Sequence, residues 1–338
     1  MPSPEPLDAR PKRYPAPEFP PRKLAAFART PPAIFPPILG LLGLAVALRL
    51  ALDRLGLDRL GLDRGAGDLL AGVAVALWAF AAVAYCAKLA RRPAVVIEDL
   101  RVLPGRSGLA AMTMGGMVAA TLVAPHATGP ALVLLVLALA GHAVLAILLV
   151  RLLLTLPPPG REVNPTWHLS FVGFILAAPA AHALGWDWLG TGLFWATLPI
   201  AALIWTLSAL QFIRSVPPPP LRPLLAIHIA PAAVLGTVAV LVGRADLATP
   251  LVLLGAGLAA FLLGSSRWIT VAGVSPLWGA FTFPLAALAT AALVQDGWLW
   301  AGLALTAVGL VAIPAILWWV LKRWPGGKLA AVTNAAEA

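Results

Sequence analysis

The chain has 338 residues, of which 60% are hydrophobic and 11% charged, and its mean hydropathy is +0.90. A water-soluble fold cannot cover that much apolar surface, so this composition excludes an ordinary soluble domain. The formal charge of +10 comes from 24 Lys and Arg against 14 Asp and Glu. A single cysteine, Cys86, excludes a disulfide framework and a thiolate metal cluster.

The N-terminal segment is rich in proline, arginine and lysine and lacks the apolar core of a cleavable signal peptide. We therefore expect residues 1–33 to form a disordered cytoplasmic tail, with the first hydrophobic helix acting as the targeting signal. Residues 53–64 repeat the pattern Leu-Asp-Arg-Leu-Gly. This alternation of charge predicts a solvated loop with no specific role.

Ten hydrophobic segments approach or reach the roughly 20 residues that a helix needs to cross a bilayer. They lie at 34–52, 69–90, 108–125, 130–154, 167–185, 189–213, 222–242, 247–266, 275–295 and 297–321. Very short joints at Pro125–Pro130 and Gln295–Gly297 require antiparallel neighbours. The predicted fold class is an all-α integral membrane protein of about ten transmembrane helices. Its membrane domain spans 34–322, and a cytoplasmic tail follows at 323–338.

The distribution of basic residues predicts the orientation of these helices. Nineteen Lys and Arg fall on the side of the two termini, and five fall on the opposite side. By the positive-inside rule, both termini are cytoplasmic and the chain is a multi-pass protein of the inner or plasma membrane. The lipid bilayer therefore accounts for the basic excess, and no nucleic-acid partner is expected.

Three odd-numbered helices carry prolines at matching depth, spaced by 52 and then 53 residues: Pro179, Pro231 and Pro284. A proline inside a helix frees the carbonyl four residues earlier, which in lipid must face protein or a wet cavity. The first and third helices have glycine pairs at this depth, namely Gly40 with Gly43 and Gly115 with Gly116. This pattern favours five helical hairpins around a central pore lined by kinked odd helices. The alternative is that the prolines only adjust packing.

If the residue before each proline faces inward, its neighbours three and four positions away share that face. On the ninth helix, Phe283 is then one large ring among small side chains, which would block the lumen at a single level. The alternative is an ordinary packing phenylalanine. The predicted pore-lining residues are Gly43, Gly115, Gly116, Ala178, Ala230, Gly279, Ala280, Ala286 and Ala287.

Histidines offer few functional candidates. His182 lies four residues after Ala178, so it is a candidate for the pore mouth, whereas His142 and His228 are interpreted as structural histidines inside the bundle. No Asp or Glu lies inside the ten spans, which disfavours proton- or cation-coupled transport and favours anions. Motifs for catalysis, cofactor binding and metal binding are absent from the sequence, so we expect neither an enzyme nor a cofactor.

Three segments together resemble the tellurite-resistance/dicarboxylate transporter family, which includes bacterial TehA proteins, plant guard-cell slow anion channels, and fungal malate and sulfite exporters. They are Phe35-Pro36-Pro37-Ile38-Leu39-Gly40-Leu41-Leu42-Gly43-Leu44, Asn164-Pro165-Thr166-Trp167 and Trp278-Gly279-Ala280-Phe281-Thr282-Phe283-Pro284-Leu285. The resemblance covers residues 31–322. It implies five hairpins around a central pore, a homotrimer with one pore per subunit, and a gate at Phe283.

Three functions remain open at this point. The first is a passive anion channel that opens when Phe283 swings aside. The second is a coupled exporter of dicarboxylate, sulfite or other oxyanions through the same pore. The third is a membrane scaffold without transport.

Overall fold

A computed structural model describes residues 25–56 and 65–338, apart from the side chains of residues 158 and 159. Most of the predicted N-terminal tail (1–24) and most of the Asp-Arg repeat (57–64) lie outside the described residues. The ten membrane segments contain the α-helices α1 Phe35–Arg54, α2 Gly65–Arg91, α3 Leu103–Val123, α4 Thr128–Thr155, α5 Ala177–Ala183, α6 Asp187–Arg214, α7 Ile229–Leu241, α8 Ala245–Gly264, α9 Thr282–Val294 and α10 Leu299–Leu321. Short α-helices also form at Val95–Arg101, Ser266–Ile269 and Lys328–Val332.

Eight of the ten predicted spans are helices long and apolar enough to cross a membrane, within the part of the chain that the structure describes. The third, α3, has 21 residues but begins at Leu103, and its first turn includes the charged Arg106. The fifth is shorter, covering His168–Ala183. It combines a π-helix, a 3-10 helix and α5. The all-α membrane fold is therefore confirmed, with a fifth segment less regular than the pattern predicted.

The odd segments form an inner ring and the even helices an outer ring. In an apolar stretch of 18 residues from each span, 61% to 72% of the residues are buried for the spans containing α1, α7 and α9. The share is 22% to 28% for α2, α4, α6, α8 and α10. Around the ring, α1 contacts α3 and α9, α5 contacts α3 and α7, and α7 contacts α9. Each odd helix also packs against the even helix that follows it. The apolar surface of the outer helices is left for lipid.

At each matched proline the segment changes from a 3-10 helix to an α-helix. The helices α5, α7 and α9 begin at Ala177, Ile229 and Thr282, two residues before the respective proline, and each follows a 3-10 helix. Proline is tolerated in the first turn of an α-helix because its missing N–H would lack a helical partner there. The predicted kinks are thus changes of helix type, and the carbonyls four residues before the prolines lie in the 3-10 turns.

Small residues allow the inner ring to close tightly. A Cβ atom added to Gly40 of α1 would lie 2.3 Å from the Cβ atom of Thr282 at the start of α9. The Thr282 hydroxyl in turn donates to the Gly279 carbonyl at 2.7 Å and also lies 3.2 Å from the Pro36 carbonyl. Only glycine fits at position 40 without moving one of these two helices.

The C-terminal residues and the first described residues, from Ala25 onward, lie on one face of the molecule, which we call the terminal face. The Ala338 amide donates to the Ala28 carbonyl at 3.1 Å, and Arg29 pairs with Glu337 at 2.7 Å. The segment that was expected to be a simple C-terminal tail therefore packs against the N-terminal segment. Leu329, in its short helix, is fully buried.

A buried ion pair links the C-terminal residues to the helices at the terminal face. The Lys88 ammonium lies 3.0 Å from the Asp99 carboxylate, and both side chains are fully buried. Asp99 also accepts hydrogen bonds from the Tyr85 hydroxyl at 2.8 Å and from the Ala336 amide at 2.8 Å. A buried charge pair needs such additional hydrogen bonds to offset its desolvation.

Candidate functional site

Phe283 lies in the centre of the inner ring, on the second residue of α9. Only 6% of its surface is exposed, and its ring borders three internal cavities. A Cβ atom built on Gly43 of α1 would lie 3.1 Å from the Cδ2 atom of Phe283. The absence of a side chain at Gly43 therefore leaves the space in which the aromatic ring rests.

The first cavity lies between Phe283 and the terminal face and has a volume of about 30 Å³. Its walls come from the early residues of the inner segments, and they include Ala230, Gly279 and Ala280, three of the residues expected to face the pore. Its lining is mostly proline, alanine, leucine and glycine, with the hydroxyl of Ser107 among them. It is a narrow, neutral space that ends at the aromatic ring.

The second cavity lies on the other side of Phe283, towards the opposite face, and has a volume of about 100 Å³. Gly43 and Ala287, two of the residues predicted to line the pore, border it together with Pro179, which was predicted only as a kink. Three threonines that sequence reasoning missed also line it: Thr121, Thr237 and Thr290. Their hydroxyls lie 3.0 to 3.3 Å from carbonyls of their own helices, which satisfies the donors and leaves oxygen atoms near the cavity.

A sequence signal for two of these threonines exists. Thr237 lies seven residues after Ala230, and Thr290 lies seven residues after Phe283. Two turns of an α-helix contain about seven residues, so each threonine shares the face of the residue that precedes the matched proline. The offset of seven could therefore have predicted both.

The third cavity, of about 20 Å³, lies beside Phe283 and is lined by Pro231 and by His168, another residue that sequence reasoning missed. His168 Nε2 lies 3.0 Å from His228 Nδ1, so one of these nitrogens donates to the other. His168 is 2% exposed, and its Nδ1 atom has no hydrogen-bond partner in the described structure. The structural histidine predicted at position 228 thus pairs with His168, which lines one of the three cavities around Phe283.

The described residues around these three cavities include no Asp, Glu, Lys or Arg. Charge lies instead beyond the second cavity, where Arg49 pairs with Asp68 at 2.7 Å. The Arg49 guanidinium also donates to the Leu122 carbonyl at 2.8 Å and lies 3.0 Å from His126. A neutral path with charged groups near its end is compatible with anions that cross without tight binding.

Several predicted pore residues occupy other positions. Gly115 and Gly116 face the outer ring, since a Cβ atom on Gly115 would lie 2.6 Å from the Trp78 ring and one on Gly116 would lie 2.8 Å from Ala138 Cβ. Their missing side chains admit neighbouring helices rather than an ion. These two glycines are therefore packing positions between the rings.

The remaining predicted residues lie beside the central path or away from it. Ala178 faces Gly190 of α6, at 3.6 Å from a Cβ built there, so that Pro179 lines the cavity instead. Ala286 is buried against Gly43 of α1. His182 is about half exposed and pairs with Asp187 at 2.6 Å, between α5 and α6. The predicted mouth residue therefore joins one hairpin and lies outside the three central cavities.

His142 packs between α3 and the fifth segment. Its Nδ1 atom lies 2.7 Å from the Thr113 hydroxyl, and its ring contacts that of Phe174 edge to face at 4.4 Å. This placement matches the structural role expected from the sequence. In the described part of the chain, groups of three or more His, Cys, Asp or Glu that could hold a metal are absent.

Comparison with known proteins supports the resemblance found in the sequence. The profile of the family described as voltage-dependent anion channel (SLAC1) matches residues 29–321, which is well over half of the chain. No curated protein matches the sequence.

Proposed function

Because the chain belongs to the voltage-dependent anion channel family, we propose that it conducts small anions along the axis of the inner ring and that Phe283 gates this path. The family supports anion transport rather than catalysis. The finer proposal, passive flow through a pore closed by one aromatic ring, depends on the position of Phe283.

One observation carries the proposal: Phe283 lies between a cavity of about 30 Å³ and one of about 100 Å³, and its ring fills the gap beside Gly43. In the described structure both cavities are lined by uncharged residues, with threonine oxygens on the far side. Removing the ring would join the two cavities without creating an unpaired buried polar group. A coupled exporter would use the same path, and rate of transport separates the two mechanisms.

The test is the anion current across bilayers that contain the purified protein. We expect Phe283→Ala to conduct chloride and nitrate much more than wild type, because the ring that separates the two cavities is gone. Phe281→Ala is the matched control, since Phe281 is only partly buried and packs against Trp278 at 5.7 Å between ring centres. It should leave the current near the wild-type value.

Two outcomes would overturn parts of the proposal. Equal currents in wild type, Phe283→Ala and Phe281→Ala would show that the ring does not gate the path. No current in any variant, with anion uptake into proteoliposomes still present, would favour the slow coupled exporter. Absence of all anion flux would favour the scaffold.

The remaining parts of the proposal concern setting and substrate. We propose that the terminal face is cytoplasmic, that the protein lies in the inner or plasma membrane, and that three copies associate with one pore each. Resistance to tellurite and transport of dicarboxylates are proposed from the resemblance to TehA-like proteins. The orientation is tested by reacting impermeant thiol reagents with a cysteine introduced at the terminal face of a Cys86→Ser variant. Native mass spectrometry tests the number of copies, and growth on tellurite tests resistance.

A further inference from the structure

A further cavity, larger than the three that border Phe283 and separate from them, lies at the terminal face. It has a volume of about 350 Å³ and is lined by the start of α3, the turn after α4, the end of α6 and the 3-10 helix before α7. This volume is far above the ~10–15 Å³ that one buried water needs. Its polar lining residues include Arg101, Arg106, Glu162, Ser208, Gln211 and His228.

Arg106 is the unusual member of this lining. Its side chain is 5% exposed, and its Nε atom donates to the Leu100 carbonyl at 2.6 Å. Among the described residues, Arg106 forms no salt bridge, and Nε makes the only hydrogen bond of its side chain. Its two terminal nitrogens are not among the fully buried atoms that lack a partner, so they are accessible from the cavity. A buried charge without a counterion is costly, so such a group generally has a partner.

The other polar groups that line this cavity do not act as the counterion of Arg106. The Glu162 carboxylate accepts a hydrogen bond from the Gln211 amide at 3.3 Å, which turns this acid towards α6. Ser208 has a buried hydroxyl without a partner in the described structure. The lining thus contains two arginines against one carboxylate, together with a free hydroxyl donor.

We propose that this cavity binds a phosphate-type oxyanion, held by the terminal nitrogens of Arg106 and the Ser208 hydroxyl. Arginine favours oxyanions because its planar guanidinium donates two parallel hydrogen bonds, whereas a halide accepts no such pair. The anion comes either from a soluble phosphate compound or from the headgroup of a phospholipid at the membrane surface. The site goes beyond the proposed pore, since its cavity is distinct from the three that border Phe283.

Binding is tested without any ion flow, on the full chain purified in uncharged detergent. Thermal stability is measured against increasing inorganic phosphate, and retained phospholipid is measured by mass spectrometry. Because charge-assisted hydrogen bonds are the strong class, Arg106→Gln should raise the half-saturating phosphate concentration at least about tenfold. The control Arg267→Gln removes an exposed arginine elsewhere on the molecule and should leave this concentration unchanged.

A second variant covers the case in which Arg106→Gln fails to fold because the bond to Leu100 is lost. Ser208→Leu fills the cavity and breaks no hydrogen bond of the described structure, so it should abolish phosphate protection while leaving a folded protein. Phosphate protection that weakens in Ser208→Leu supports the soluble source. Phospholipid retained by wild type and lost in Ser208→Leu supports the headgroup source. Equal protection and equal lipid retention in wild type, Ser208→Leu and Arg267→Gln would overturn the site, whatever the pore experiment shows.

Discussion

Adding one methyl group at Gly43 tests whether the ring of Phe283 is a movable gate. The new Cβ atom would lie 3.1 Å from Phe283 Cδ2 and 3.1 Å from Ala286 Cβ, whereas carbon atoms pack best at ~3.5–4.0 Å. Overpacking of this kind costs ~1–3 kcal/mol. Phe283 has cavities on both sides, so the ring can yield, and we take a cost of about 1 kcal/mol.

This cost falls on the closed state if the open state moves the ring away from Gly43. A difference of about 1 kcal/mol then raises the ratio of open to closed channels roughly fivefold. We therefore expect Gly43→Ala to increase chloride current about fivefold in otherwise wild-type protein. In a Phe283→Ala background the same methyl meets no ring, so it should not increase the current.

The assay is macroscopic chloride current in planar bilayers, normalised to the amount of protein, for the four members of this mutant cycle. Gly72→Ala is the control, because a Cβ on Gly72 of α2 meets no atom within 4 Å. The reasoning is refuted if Gly43→Ala changes the current by the same factor in both backgrounds. It is also refuted if Gly43→Ala lowers the current of the otherwise wild-type protein.

Two further predictions concern stability, measured as the midpoint of thermal unfolding in detergent. Gly40→Ala should destabilise the protein strongly, because its methyl group would overlap α9, whereas Gly72→Ala should be neutral or slightly stabilising. Lys88→Ala should cost ~3–5 kcal/mol because it leaves the buried Asp99 carboxylate without its cation. Removing the exposed partner of Glu98 by Arg92→Ala should cost only ~0–1 kcal/mol. Equal losses in Lys88→Ala and Arg92→Ala would contradict the burial argument.

Much of the architecture could be predicted from the sequence because a bilayer restricts the choices. Spans of about 20 apolar residues must be helices, and very short joints must connect antiparallel neighbours. The recurrence of proline at 52 and 53 residues identified the inner ring, and the structure places α5, α7 and α9 there. The same period indicated an inward-facing Phe283, with an ordinary packing phenylalanine as the alternative.

The details of the pore surface could not be predicted, because they depend on turns that are not α-helical. An α-helix turns about 100° per residue and a 3-10 helix about 120°, so four residues of 3-10 helix displace a face by roughly 80°. The fifth segment contains both π and 3-10 turns before α5, and there Pro179 lines the cavity while Ala178 faces α6. A single helical period therefore does not predict which side chains share a face when the helix type changes within a segment.

By itself the sequence determined the membrane class and the hairpin order, since both depend on composition or on spacing along the chain. Three sequence segments carried the family resemblance. Only the tertiary structure decided which glycines admit a neighbouring helix, as Gly115 does for Trp78. It also paired His168 with His228 and left Arg106 facing a separate cavity. These features depend on contacts between residues far apart in the chain, and no local pattern of side chains specifies such contacts.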